Sequence, residues 1–91
     1  MVKSEVKIIN GLGLHARAAA QLVRLAEKFE SAIKLERSGN RGKSADAKSI
    51  LSILTLAAAK GTVLVVEVEG EDEQKALAAV EEIFANGFGE L

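Results

Sequence analysis

The sequence predicts an α+β fold: an open-faced two-layer sandwich in which a four-stranded antiparallel sheet carries three helices on one face. Three observations predict it. Every clear strand-like segment alternates apolar with charged residues, so each has one face in water, which a parallel sheet covered on both sides does not permit. The segments between them change to a helical period. The two kinds of segment follow one another as βαββαβα, with the second and third strands adjacent as a hairpin, the order of a sheet layered by helices on one side.

Val2, Val6 and Ile8 fall on one side of the first strand, Val2 to Ile9, and Lys3, Glu5 and Lys7 on the other, as in a half-solvated strand. Asn10 to Gly13 breaks the alternation. From Ala16 to Phe29 the residues Ala19, Leu22, Val23, Ala26 and Phe29 make an apolar helical stripe, while Arg17, Gln21, Arg24 and Lys28 make a basic ridge on the polar side. Ala32 to Arg37 alternates Ile33 and Leu35 with Lys34 and Glu36, and Ser38-Gly39-Asn40-Arg41-Gly42 is turn chemistry leading to a short strand near Lys43 to Ala45. Between Ser49 and Leu56 apolar residues cover more than one helical face; Ser49 or Asp46 is suited to cap the start, and Gly61 to stop the helix. Val63 to Glu69 is a strand with Leu64, Val66 and Val68 inward and Glu67 and Glu69 outward. The last helix, about Asp72 to Ala85, is built on Ala76, Leu77, Val80, Ile83 and Phe84, with Gly87 just beyond its C-cap.

Composition bounds the function. Ninety-one residues make a single domain, 1–91, with room for one core. A net charge of −1 and an aromatic content of 3%, all from Phe29, Phe84 and Phe88, supply neither the field nor the stacking platforms of a nucleic-acid binder. The absence of cysteine excludes disulfides, thiolate zinc sites and thiol catalysis and agrees with a reducing compartment. One histidine does not make an imidazole metal cluster, so neither metal nor cofactor is expected. Apolar runs such as Leu56 to Ala59 fall far short of the ~20 residues that span a bilayer, and no basic-then-apolar leader opens the chain. No membrane contact and a cytoplasmic location are the expectation.

Two glycine-rich stretches imitate nucleotide loops. Gly11-x-Gly13-x-x-Ala16 follows a strand and opens a helix, with Glu36 at the end of the next strand, as a dinucleotide fingerprint would require. That fold needs parallel strands buried on both faces, and these strands alternate. Gly39-Asn40-Arg41-Gly42-Lys43-Ser44 ends like a phosphate loop but has Arg37 where the first glycine belongs. His15 and Arg17 differ from both, because their position supplies chemistry. The first turn of a helix offers unpaired N–H groups and the positive end of the dipole to an anion such as a phosphoryl group. The same field favours neutral imidazole, as a nucleophile must be, and Arg17 adds a planar fork of donors. Gly11 and Gly13 are expected to leave clearance for the incoming group. A surface histidine that merely caps the helix is the other reading of these residues alone.

Three segments carry a resemblance. Gly13-Leu14-His15-Ala16-Arg17-Ala18-Ala19 resembles the active-site motif of the histidine-containing phosphocarrier (HPr) family of the bacterial phosphotransferase system. Lys48-Ser49-Ile50 resembles its regulatory-serine motif, and Ala58-Ala59-Lys60-Gly61 precedes the fourth strand as in that family. The resemblance covers essentially the whole chain and implies an HPr-like fold. It implies a phosphoryl carrier and not an enzyme, with no cofactor: His15 is phosphorylated on its δ rather than its ε nitrogen by phosphorylated enzyme I, with phosphoenolpyruvate as source. The group then passes to an EIIA-type protein for sugar uptake or for nitrogen and carbon regulation, and Arg17 stabilises the phosphohistidine. Ser49 matches the serine modified by HPr kinase in some bacteria. Ala16, Ala19, Ile50, Leu51 and Leu54 would be docking residues and Arg24 and Lys28 a basic rim, on a monomer. A regulatory binding module of the same fold, switched at Ser49, is the alternative. Ala18 stands where the family usually has proline, which loses a fixed φ but neither nucleophile nor phosphate ligand. The turn from Ser38 to Lys43 is longer than usual, and Asn86-Gly87-Phe88-Gly89 resembles the nitrogen-related branch.

Overall fold

The computed structural model describes residues 1–39 and 43–91. Its elements are β1 (Val2–Lys7), α1 (Ala16–Ala26), β2 (Ala32–Arg37), β3 (Ser44–Asp46), α2 (Ile50–Leu54), β4 (Val63–Glu69) and α3 (Glu73–Ala85), followed by a short 3-10 turn at Gly87–Gly89. All strand pairings are antiparallel, in the order β1-β4-β2-β3. The register sets Val6 beside Leu64, Leu35 beside Val66 and Ile33 beside Val68, and all six side chains are buried. The opposite face carries Lys3 and Lys34 on either side of Glu67, in water. The predicted α+β sandwich is therefore the observed one, with its core between one sheet face and the helices.

Four boundaries differ from the sequence reading. β1 ends at Lys7 rather than Ile9. α1 ends at Ala26 rather than Phe29. The N–H groups of Lys28 and Phe29 turn to the carbonyls of Leu25 and Ala26, so Lys28 lies past the helix in the turn that follows it. α2 has only five residues and is capped by Thr55, well before Gly61. The chain leaves it through Ala57, an alanine with φ +49, while Arg37 Nη1 donates to Leu56 O at 2.9 Å. β3 is shifted by one residue, to Ser44–Asp46. Of the predicted turn before it, Asn40, Arg41 and Gly42 lie outside the described residues, and with them the middle of the false phosphate loop. Gly87, with φ +59, is the residue after the Asn86 C-cap of α3, as read from the sequence. No helix of the described residues is long and apolar enough to cross a membrane.

The end of the sheet away from the α1 N-terminus is tied by Asp72. Its carboxylate accepts from the Ser31 hydroxyl and from the N–H groups of Glu30 (2.9 Å) and Ser31 (3.0 Å). The Ser31 hydroxyl, then these N–H groups, hold the Asp72 carboxyl below its ordinary value. A depressed carboxylate stabilises the fold above its ordinary pKa and loses that contribution as pH falls through the lowered one. Thermal melting followed by circular dichroism should thus be flat near neutrality and decline as pH drops below the ordinary aspartate value of 3.8. Asp72→Asn should show a shallower acid decline than the parent; an identical slope would remove Asp72 from the account.

Candidate functional site

Four elements meet around His15: the loop from Asn10 to Leu14, the first turn of α1, the segment Ala57–Ala59, and residues 87–91. The loop is held where the strand ends. Ile8 N–H donates to Thr62 O at 3.0 Å, Gly13 N–H to Asn10 O at 3.1 Å and Leu14 N–H to Ala58 O at 2.9 Å. Gly13 has φ +66, and a Cβ there would stand 2.6 Å from Ala58 O and 2.9 Å from Ala59 Cα. Gly11 has no such φ and faces nothing within 4 Å. At Gly13 the structure shows a packing requirement against the Ala58–Ala59 backbone, while the space beside Gly11 is open.

His15 is the N-cap of α1, and its side chain caps nothing. Its carbonyl accepts the first helical bond, from Ala19 N–H at 2.8 Å, which leaves the N–H groups of Ala16, Arg17 and Ala18 without acceptors among the described residues. The imidazole, 24% exposed, places Nε2 2.5 Å from Glu90 Oε2. Glu90 Oε1 accepts from Asn10 Nδ2 at 2.9 Å, and that amide also donates to Gly13 O at 2.8 Å. The Asn10 amide first, the His15 ring next and the nearby positive charge of Arg17 last hold the Glu90 carboxyl below its ordinary value. An ionised carboxylate only accepts, so Nε2 is the donor in this pair. Nδ1 has no partner among the described residues.

Arg17 is exposed and lines an open depression with Gly11, Leu12, Gly89 and Glu90. Of the other predicted site residues, Ser49 is the N-cap of α2, its Oγ accepting from Ser52 N–H at 3.2 Å. Asp46, the other cap candidate, instead braces the loop before it by accepting from Lys48 N–H. Ile50 and Leu51 are 40% and 78% exposed, and Leu54 is half-buried against the core. Ala16, Arg24 and Lys28 are exposed. Ala19 is fully buried among the core residues, which removes it from any docking surface. Glu90 and Asn10 are the site residues that sequence reasoning missed. An asparagine directly after the alternating strand and an acid following Gly87-Phe88-Gly89 are the only local signals of them. Among the described residues no group of acidic and imidazole side chains is arranged to hold a metal.

Comparison with known proteins gives a consistent picture. The PTS-HPr family profile, described as the PTS HPr component phosphorylation site, matches residues 2–86. A phosphocarrier protein HPr of Cupriavidus necator is 46% identical over 90 residues, spanning 99% of this chain and 98% of its own. A phosphocarrier protein NPr of Escherichia coli is 42% identical over 89 residues, spanning 98% and 97%. Among solved structures, HPr-C-His from Thermoanaerobacter tengcongensis superposes with a TM-score of 0.91 at 37% identity, over 100% of this chain and 99% of that one. An HPr dimer from the same organism gives 0.75 at 39% identity, over 99% and 100%.

Proposed function

The chain belongs to the HPr family of phosphocarrier proteins of the phosphotransferase system, and on that premise we propose that His15 Nδ1 is the atom that carries the phosphoryl group. The observation that carries this is the occupied Nε2. With its proton committed to Glu90 at 2.5 Å, the ring offers one lone pair, at Nδ1. That lone pair attacks phosphorus, the bond from phosphorus to phosphorylated enzyme I breaks, and the donor leaves with its electron pair. The ring, now substituted at Nδ1 and protonated at Nε2, is positive, and the Glu90 carboxylate faces that charge. The unpaired N–H groups of Ala16, Arg17 and Ala18 and the Arg17 guanidinium are donors on the helix end where the phosphoryl oxygens arrive. Attack on Nδ1-bound phosphorus by a histidine of an EIIA-type protein reverses the sequence. The protein is thus a carrier with no cofactor and no turnover of its own, and residues 1–91 act as one phosphocarrier unit.

Exposed Ile50 and Leu51 with the outer edge of Leu54 give partners an apolar contact, and Ala16 lets them approach the helix end. Arg24 and Lys28 form a basic rim that favours acidic partner surfaces and acts on association rate more than on affinity. Ser49 adjoins Ile50 and Leu51, so a phosphate placed there by HPr kinase would set negative charge beside the apolar contact and weaken docking. The carrier reading places the protein in the cytoplasm as a monomer; sedimentation at working concentration checks the latter, a dimer being the contrary result.

Incubation with enzyme I and phosphoenolpyruvate should add one acid-labile, base-stable phosphate, with phosphorus coupling to Nδ1 in the NMR spectrum. A chain that stays unmodified, or one modified at Nε2, overturns the reading. Arg17→Ala should slow transfer roughly a hundredfold to a thousandfold, as loss of one donor to a charged transition state does. Its melting temperature should be unchanged because Arg17 is exposed. Unaltered single-turnover rates would take Arg17 out of the mechanism.

A further inference from the structure

We propose that Asn10 is a positioning residue for His15, acting through Glu90 to fix which ring nitrogen is nucleophilic. The proposal rests on the carrier reading for its purpose, but on separate geometry for its content. Asn10 is fully buried, at the end of the strand that Ile8 anchors in the core. Its amide nitrogen donates to Gly13 O at 2.8 Å and to Glu90 Oε1 at 2.9 Å. Both neighbours are oxygens that only accept, so the amide has one possible orientation.

The other end of the amide points to the purpose. Asn10 Oδ1 is buried with no hydrogen-bond partner among the described residues, a costly arrangement that native structures rarely keep without a reason. An apolar side chain would fill the same place without that orphan, so the side chain's value lies in its donor end. That donor end has two duties. On Gly13 it holds the loop leading to His15. On Glu90 it occupies one carboxylate oxygen and turns the other to Nε2. It thereby links residues 80 positions apart and fixes the Glu90 carboxylate against the ring. The arrangement follows the pattern by which an outer partner sets the tautomer and orientation of an imidazole through an intermediate acid.

This makes a prediction that a bracing role alone does not. In Glu90→Gln, Asn10 still donates and therefore still faces the side-chain oxygen of the new amide. The amide nitrogen then faces His15 Nε2 and donates to it. The ring must accept there, which moves its proton to Nδ1 and blocks the nucleophile. Adding Asn10→Asp reverses this. The new carboxylate accepts from the glutamine nitrogen, the glutamine oxygen turns to His15, and the proton returns to Nε2.

The test is 15N–1H NMR of the unphosphorylated ring together with the initial rate of phosphate uptake from enzyme I. The parent should show the Nε2–H tautomer. Glu90→Gln should show Nδ1–H and lose roughly tenfold or more in rate, and the Asn10→Asp, Glu90→Gln pair should regain Nε2–H and part of the rate, since it no longer donates to Gly13 O. A Glu90→Gln protein that keeps the Nε2–H tautomer overturns the proposal, as does a folded double variant that stays Nδ1–H. If buried Asn10→Asp does not fold, the Glu90→Gln spectrum decides alone, since it leaves Asn10 in place. The tautomer is read without phosphate, so a parent that accepts none overturns the carrier reading and leaves this result standing.

Discussion

A His15→Ala variant is expected to take up no acid-labile phosphate from enzyme I and phosphoenolpyruvate, while melting close to the parent protein. The first half follows from chemistry that no other residue supplies: His15 is the only histidine in the chain, and no cysteine is available as a second nucleophile. The second half follows from what the side chain does not do. The helical start depends on the His15 carbonyl, which accepts from Ala19 N–H at 2.8 Å and is unchanged in alanine. The imidazole makes no capping bond and is partly in water. Glu90 loses one partner but keeps Asn10 and remains 14% exposed, so water can take the vacated place. A change within about 1 kcal/mol is expected, as for substitutions that leave no buried group unpaired. Phosphate uptake at the parental rate would show that His15 is not the acceptor. Loss of the fold would show that the ring braces the loop instead.

The fold was legible because each element is recorded in its own local period. Alternation in β1, β2 and β4 marked the core face residue by residue, and Val63–Glu69 has the bounds its sequence suggests. What periodicity missed is set by contacts distant in sequence. The last turn of α1 would continue through Phe29 by its apolar stripe, but the N–H groups of Glu30 and Ser31 are taken by Asp72, 42 and 41 residues away, and the chain must leave the helix to reach it. α2 ends early where Arg37 of β2 binds Leu56 O and Ala57 adopts a left-handed conformation; nothing local in an alanine announces that. The site divides in the same way. His15 and Arg17 share one helix turn and could be read together. Glu90 lies 75 residues from His15 and arrives only because the chain reverses at Gly87 and Gly89, with Phe88 edge-on to Phe84 at 5.0 Å between ring centroids.

Gly13→Ala should be the most destabilising single-methyl change in the site. At φ +66 an L-residue is strained by about 1–2 kcal/mol. The new Cβ would sit 2.6 Å from Ala58 O and 2.9 Å from Ala59 Cα, and both are backbone, so no side chain can swing aside. Displacing them strains the Leu14 N–H to Ala58 O bond that docks the loop, an overpacking cost of about 1–3 kcal/mol. A total of about 2–5 kcal/mol lowers the melting temperature by roughly 10–25 °C in a domain of this size. Gly11→Ala is the control, with nothing within 4 Å of its Cβ and no left-handed backbone; it should melt within about 0.5 kcal/mol of the parent. The pair separates two roles for glycine beside a phosphoryl acceptor. Clearance for the incoming group would make Gly11→Ala slow in transfer while stable. Packing of the loop on Ala58 and Ala59 makes Gly13→Ala unstable and leaves Gly11→Ala near parental in both. A Gly13→Ala protein as stable as the parent would remove the packing account.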